Sequence, residues 1–388
     1  MTWMRVATVT ETWPPEVNGV AKTAARFVQG LRECGHQVQV VRPRQGAADR
    51  AGADEALVQG MAIPRYANLR VGLPAKGALA RLWTFRRPDV VHIVTEGPLG
   101  WSALAAAAKL KLPVVSDFRT NFHSYSSHYG VGWLKKPIVA YLRKFHNRTA
   151  ATLVPTEAMR AALAQLGFQR LRVIARGVDT ALFDPARRDE RLRASWGAGP
   201  HDVVALYVGR LAPEKNLAAL APMPGAKMVF VGDGPARAAL AERFPQAVFA
   251  GTRTGADLAA HYASGDVFLF PSLTETFGNV TLEAMASGLA VVAYDYAAAA
   301  EVIRHGVNGI LVPLGSDFAP PAAALATDLA RARCIGQAAR EAALARGWDS
   351  VVAELEAVLR AAAAYQAMAN EATAIKAPRS APAITSLG

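Results

Sequence analysis

Residues 267–295 read VFLFPSLTETFGNVTLEAMASGLAVVAYD. The apolar run Val267–Phe270 is short and bounded by Pro271, which suits a buried strand. A loop follows, and a helix begins near Gly278, with Glu283 on its second turn. A second apolar run, Ala290–Ala293, is the next strand. A strand, a loop, a helix and a strand in so few residues form a parallel β-α-β crossover. The start of such a helix offers backbone N–H groups and a positive dipole end, both suited to a phosphate. Gly278 lets that backbone approach a ligand closely. Glu275 and Glu283 lie eight positions apart. On spacing alone, they either hold sugar and ribose hydroxyls or serve as a helix cap and a solvated acid.

The same rhythm extends in both directions. Upstream strands are expected at Val6–Thr10, Gln37–Val41, Val90–Val94, Val114–Asp117, Thr152–Pro155 and Leu171–Ala175. After a charged stretch around 177–193 the pattern resumes at Val203–Val208, Lys227–Val231, Ala247–Ala250, Val267–Phe270, Ala290–Ala293 and Gly309–Val312. Apolar strands alternating with helices mean parallel sheets covered on both faces, in two doubly wound α/β domains. A chain of 388 residues, 52% hydrophobic and 19% charged, fits two packed domains and excludes wholesale disorder.

The net charge of +12 is unevenly placed: residues 1–180 hold 25 Lys and Arg against 11 Asp and Glu, and the rest hold 18 against 20. An anionic partner on the first domain is one reading, and free use of arginine by the genome is the other. No nucleic-acid recognition module is evident. Cys34 and Cys334 form no C-x-x-C motif and are expected as buried thiols in a reducing cytoplasm. There is no apolar run of membrane-spanning length, no signal peptide, no D-x-D and no His/Cys cluster, so no metal site is expected.

Residues 271–295 resemble the E-x7-E signature of retaining family-4-type glycosyltransferases, whose fold is GT-B: two Rossmann-like domains facing across a cleft. Five further stretches match in order. TETWPPEVNGVAKT (10–23) and GHQVQVVRP (35–43) are similar to the family's opening strand, glycine loop and second strand. RPDVVHIVTEGPLG (87–100) resembles its fourth strand and turn. YVGRLAPEKNL (207–217) and VFVGDGP (229–235) resemble its phosphate-side and nucleotide-side loops. The resemblance is strongest toward mannosyltransferases and glycolipid-forming members.

The resemblance implies a nucleoside-diphosphate sugar, GDP- or UDP-linked, as donor, with no other cofactor. Arg210 and Lys215 would neutralise the diphosphate; Arg210 follows strand Ala205–Val208, and Lys215 is expected to open the next helix. Glu275 would bind the donor sugar, Glu283 the ribose, and Gly278 and Asn279 would offer N–H groups. The loop at Gly232 either contacts the nucleotide or is an ordinary strand-to-helix turn, and Arg253, after strand Ala247–Ala250, either flanks the base or is a plain exposed arginine. In the first domain Gly19 would approach the donor, with Asn18 in place of the family's other glycine. A histidine often follows the family's strand at Arg119; Arg cannot serve as a neutral base, so either Arg119 enters the pocket or His123 does. His92 is expected as a core residue.

The segment GWLKKPIVAYLRKFHNR (132–148) is a basic amphipathic helix, either core-packed with a solvated face or lying on an anionic membrane. Lys135 and Lys136 stand on its possible acceptor side. The expected domains are 1–178, 179–345, a helix over 346–366 returning to the first domain, and a disordered tail over 367–388. The expected function is hexose transfer, with retention, to a lipid-linked or phosphorylated acceptor, in the cytoplasm or on the inner face of its membrane. The rivals are a sugar-nucleotide hydrolase or epimerase of the same fold, and a non-enzymatic protein binding anionic ligands. A dinucleotide oxidoreductase is disfavoured because no G-x-G-x-x-G follows the first strand.

Overall fold

The computed structural model describes residues 3–16, 19–46, 48–63, 66–119, 135–275 and 277–376. The first domain runs β1 (Arg5–Val9), α1 (Gly19–Glu33), β2 (Gln37–Pro43), β3 (Glu55–Val58), β4 (Gly60–Ile63), β5 (Tyr66–Gly72), α2 (Lys76–Phe85), β6 (Val90–Ile93), α3 (Pro98–Leu110), β7 (Val114–Asp117), α4 (Lys135–His146), β8 (Ala151–Val154), α5 (Glu157–Gln165) and β9 (Leu171–Val173). The second runs α6 (Glu190–Ser195), β10 (Val203–Val208), β11 (Ala226–Val231), α7 (Arg237–Arg243), β12 (Val248–Gly251), α8 (Gly255–Ala263), β13 (Val267–Phe270), α9 (Asn279–Ala286), β14 (Ala290–Tyr294), α10 (Ala297–Val302), β15 (Ile310–Val312), α11 (Ala319–Ala326) and α12 (Leu329–Leu344). A last helix, α13 (Trp348–Lys376), closes the described chain.

Among the described residues, one parallel sheet has the strand order β3-β2-β1-β6-β7-β8-β9 and the other β12-β11-β10-β13-β14-β15. Period-2 alternation builds two cores around the second sheet. Val204, Leu206 and Val208 of β10 face one of them, and Val203, Ala205 and Tyr207 face the other. Around the first sheet, Val6 joins the core under α1, while Ala7 and Val9 join the one under α2 and α3. In each sheet the strand order reverses beside the first strand of the domain, between β1 and β6 and between β10 and β13. The carboxyl ends of these strands open onto a crevice, where such sheets bind ligands.

Two expectations need correction. Cys34 and Cys334 are unpaired as expected, but both are exposed rather than buried, because one follows the end of α1 and the other lies on the outer side of α12. The tail expected to be disordered from 367 is helical through Lys376. Its Ala, Glu, Met and Gln content favours helix, and among residues 348–370 of α13, whose burial is described, Ala362 is the last buried one. Residues 377–388 lie outside the described chain. The short strand β3 and the antiparallel pair β4–β5 were not foreseen; β3 is only half-buried and has no continuous apolar signature.

Helix α13 packs against α1: Val351, Val352, Leu355 and Leu359 share a core with Phe27, Val28 and Leu31. The contact is close at Gly30, where an added Cβ would lie 2.4 Å from a methyl of Val352. Gly30→Ala improves helix propensity by roughly 1 kcal/mol. The β-branched Val352 yields little, however, and overpacking costs about 1–3 kcal/mol. The variant should therefore melt below wild type by a few degrees, and the added change Val352→Ala should recover most of that loss in a double-mutant cycle.

Candidate active site

The second-domain wall is built where β13 ends. Gly278 stands just before α9 with φ +95°, a left-handed conformation that favours glycine. Lys215 does not open an α-helix as expected but closes a 3-10 turn, Pro213–Lys215. Two hydrogen bonds fasten this turn to the β13 loop: Asn216 Nδ2 donates to the Pro271 carbonyl at 3.1 Å, and Thr274 Oγ1 donates to the Glu214 carbonyl at 2.8 Å. So held, the Lys215 ammonium forms an ion pair with Glu275, whose Oε1 also accepts from Ser272 Oγ at 2.9 Å. Residues 60 positions apart thus meet.

Other expected groups stand apart from this pair. The Arg210 side chain is 65% exposed and pairs with Glu214 at 3.2 Å, outside the cavity lining. Arg253 is tied to the Ala250 carbonyl and to Asp257. Gly232, at φ +135°, would place a Cβ 1.9 Å from the Gly209 carbonyl oxygen; it serves to interlock the loops after β10 and β11. Glu283 Oε2 accepts from the Tyr262 phenol at 3.0 Å. Burial raises the Glu283 carboxyl above its ordinary range, against the opposing pull of Tyr262 and of Lys22 on α1.

The first-domain wall forms at the ends of β1, β6 and β7. Glu11 follows β1, and its Oε1 accepts the Leu99 backbone N–H at the start of α3, at 2.9 Å. Burial pushes its carboxyl up to about 7, opposed by the Leu99 N–H and helped by Glu96. His92 is a core residue as expected, with Nε2 3.0 Å from Asp117 Oδ1. The other carboxylate oxygen of Asp117 accepts from Arg119 Nε and Nη2 at 3.1 and 2.8 Å. Burial acts to raise Asp117, but Arg119 and His92 outweigh it and hold the carboxyl at about 2. Arg119 therefore sits in the pocket, with its guanidinium 5.5 Å from the Phe27 ring.

A cavity of about 910 Å³ lies between the walls. Glu11, Gly19, Arg119, Glu275, Gly278 and Asn279 all line it. So does Arg176, which sequence reasoning missed. It follows β9, and its Nη1 donates to Asn279 Oδ1 at 3.1 Å. Glu11 was also missed; its place directly after the strand at the point of reversal was the available signal. Asn18, His123 and the side chain of Lys135 lie outside the described residues. Lys136 is exposed on α4, with Arg143 and Lys144, while Val139, Leu142 and Phe145 of that helix are buried. Helix α4 is thus core-packed, with a basic outer face. Among the described residues no cluster of His, Cys, Asp and Glu could hold a metal ion, and no helix is long and apolar enough to cross a membrane.

Residues 17–182 match the family described as Glycosyltransferase Family 4, and residues 202–331 match Glycosyl transferases group 1. The GDP-mannose-dependent alpha-mannosyltransferase of Mycolicibacterium smegmatis is 38% identical over 370 residues, covering 92% of this chain and 98% of that one. The GDP-mannose-dependent alpha-(1-6)-phosphatidylinositol monomannoside mannosyltransferase of Mycobacterium tuberculosis is 30% identical, with the same two coverages. Among solved structures, sucrose-phosphate synthase from Thermosynechococcus elongatus superposes with a TM-score of 0.76 at 19% identity, over 92% of this chain and 98% of that one. That likeness is one of fold, the two-domain GT-B arrangement.

The raised Glu11 carboxyl makes stability depend on pH. The unfolded chain releases this proton near 4.5 and the folded chain near 7. Between those values the folded state binds more protons, so stability falls as pH rises through the window. Glu11→Gln keeps an acceptor for the Leu99 N–H and cannot ionise. Relative to wild type it should gain about 3 kcal/mol between pH 4 and pH 8. Urea melts at both pH values measure this, and a gap that stays constant with pH would remove the buried-acid account.

Proposed function

We propose, since the chain belongs to glycosyltransferase family 4, that it moves mannose or a similar hexose from a GDP-linked donor to a hydroxyl of a glycolipid acceptor, with retention at the anomeric carbon. Mannose and GDP are supported by the mannosyltransferase of M. smegmatis, and a lipid acceptor by the phosphatidylinositol mannoside enzyme of M. tuberculosis. The observation that carries the reading is Glu275, which lines the cavity shared with the first domain beside the open start of α9 and is paired there with Lys215.

In this reading the leaving diphosphate rests against Lys215 and the first turn of α9, whose charge and dipole stabilise the negative charge that develops as the sugar departs. No metal is needed for that role. Glu275 accepts hydrogen bonds from sugar hydroxyls, and the salt bridge to Lys215 fixes its orientation. Glu11 faces the same space from the first domain and receives an acceptor hydroxyl. The acceptor attacks the face the diphosphate leaves, and the departing phosphate oxygen takes its proton, so no protein nucleophile is used. Arg210, on the exposed side of the same loop, would reach the diphosphate only on closure of the domains. The exposed Lys136, Arg143 and Lys144 give α4 a face suited to anionic lipid. The protein would then work as a peripheral enzyme on the cytoplasmic side of its membrane.

The test is a panel of GDP-, UDP- and ADP-hexoses, scored first by thermal shift and then by turnover with lipid extract, with the product linkage read by NMR. Transfer from GDP-mannose to a lipid with α linkage is expected. Sugar release without acceptor would instead identify a hydrolase. Lys215→Ala and Glu275→Ala should each lower kcat by roughly 10²–10³ while the protein remains folded; activity near wild type in either would remove the site assignment. In co-sedimentation, vesicles containing anionic lipid should retain the protein at low salt and neutral vesicles should not.

A further inference from the structure

Two guanidinium groups face the cavity from the first-domain side, and the charge around them is not balanced. Arg119 is 8% exposed and Arg176 7%. Arg119 bonds Asp117 through Nε and Nη2, but its Nη1 is buried and unpartnered among the described residues. Arg176 bonds Asn279, a neutral amide, through Nη1, and its Nε is likewise buried and unpartnered. The charges that act on Arg176 are those of Arg119, Glu275 and Asp117. Glu275 is already engaged by Lys215 and Asp117 by Arg119. Three cations therefore share two carboxylates.

Burial first and Arg119 second push the Arg176 guanidinium down to about 9. Two buried like charges with idle N–H donors are costly in isolation. An oxyanion placed between them would satisfy both donors and relieve the repulsion. At Gly19 an added Cβ would lie 3.1 Å from Arg176 Nη1, so the guanidinium closes directly onto the start of α1. Of the cavity's other acids, Glu96 acts on Glu11, and neither it, Glu11 nor Glu16 is among the charges that act on Arg176. Glu11 is turned to the start of α3, and Glu16 is engaged with Thr12 and Gln45.

We propose that Arg119 and Arg176 together form an oxyanion subsite on the first-domain wall, apart from the Lys215–Glu275 pair, that reads a negative group of the donor beyond its nucleoside. The group is either the phosphate that carries the sugar or an acidic substituent of the sugar itself. The inference rests on the nucleotide-sugar reading above, and adds to it the wall opposite Lys215 and the anionic group that wall selects.

Calorimetric titration of GMP, GDP, GDP-mannose and GDP-mannuronate, with the matching UDP series, separates the outcomes. The proteins are wild type, Arg119→Gln, Arg176→Gln and the charge-keeping Arg176→Lys, each checked by thermal melt. If the phosphate is read, the preference of wild type for GDP over GMP shrinks roughly tenfold or more in both Gln variants. If the sugar's own acid is read, that preference is unchanged, and the variants instead lose a wild-type preference for the uronate over the neutral hexose. Arg176→Lys should fall between wild type and Arg176→Gln, and it serves as the reporter should the Gln variant fail to fold. Affinities in both arginine positions that match wild type throughout, with the diphosphate still binding, overturn the subsite. A wild-type protein that binds no diphosphate in either series overturns the donor reading instead.

Discussion

In a parallel sheet every strand ends on the same edge, and a cleft opens there only where neighbouring strands send their following helices to opposite faces. This protein meets that condition twice, at β1/β6 and at β10/β13. Its cavity is lined by residues just beyond those strands: Glu11 and Thr95 from one sheet, Glu275 and Gly278 from the other. Glu11, Thr95 and Glu275 each follow a strand whose core is buried on both faces, so a rigid framework carries chemistry that resides in loops.

Electrostatics then divides the labour between the walls. On the second domain a cation and an acid neutralise one another, and the helix start adds a dipole. On the first domain Asp117 ties His92 to Arg119 in a buried chain, and Arg176 adds a charge with no carboxylate of its own. Such an arrangement is poorly suited to an empty pocket and well suited to one that receives an anion. The long helix α13 begins near the junction of the domains, where Trp348 meets Gly177, and continues onto α1. The two halves are therefore joined through packing as well as through the chain.

Much of this was legible from residue order. Period-2 burial with continuous apolar runs gave every strand of both sheets except β3, which is short and only half-buried. The E-x7-E stretch and the matching loops pointed to the family and to Glu275, Lys215, Gly278 and Asn279. The reading of Arg210 was less complete, since a basic residue after a strand carries no mark of whether it turns toward the cleft or, as here, toward Glu214 and solvent. Gly232 was expected as a ligand contact, whereas the Gly209 carbonyl lying against it gives the glycine a packing role of its own. Arg176 had no motif to single it out, and Glu11 was marked only by its place just after the first strand.

Local periodicity and loop chemistry are properties of neighbouring residues, so the sequence by itself determined the α/β class, the two domains, the family and the helix start after Gly278. Charge balance and acid strength depend on residues distant in sequence but close in space. Only the tertiary structure could decide that Lys215 meets Glu275 across 60 positions, that Glu11 keeps its proton to near neutrality, and that two arginines 57 positions apart face one cavity. Burial and Coulombic coupling, which set those properties, come into being only when the sheets are assembled.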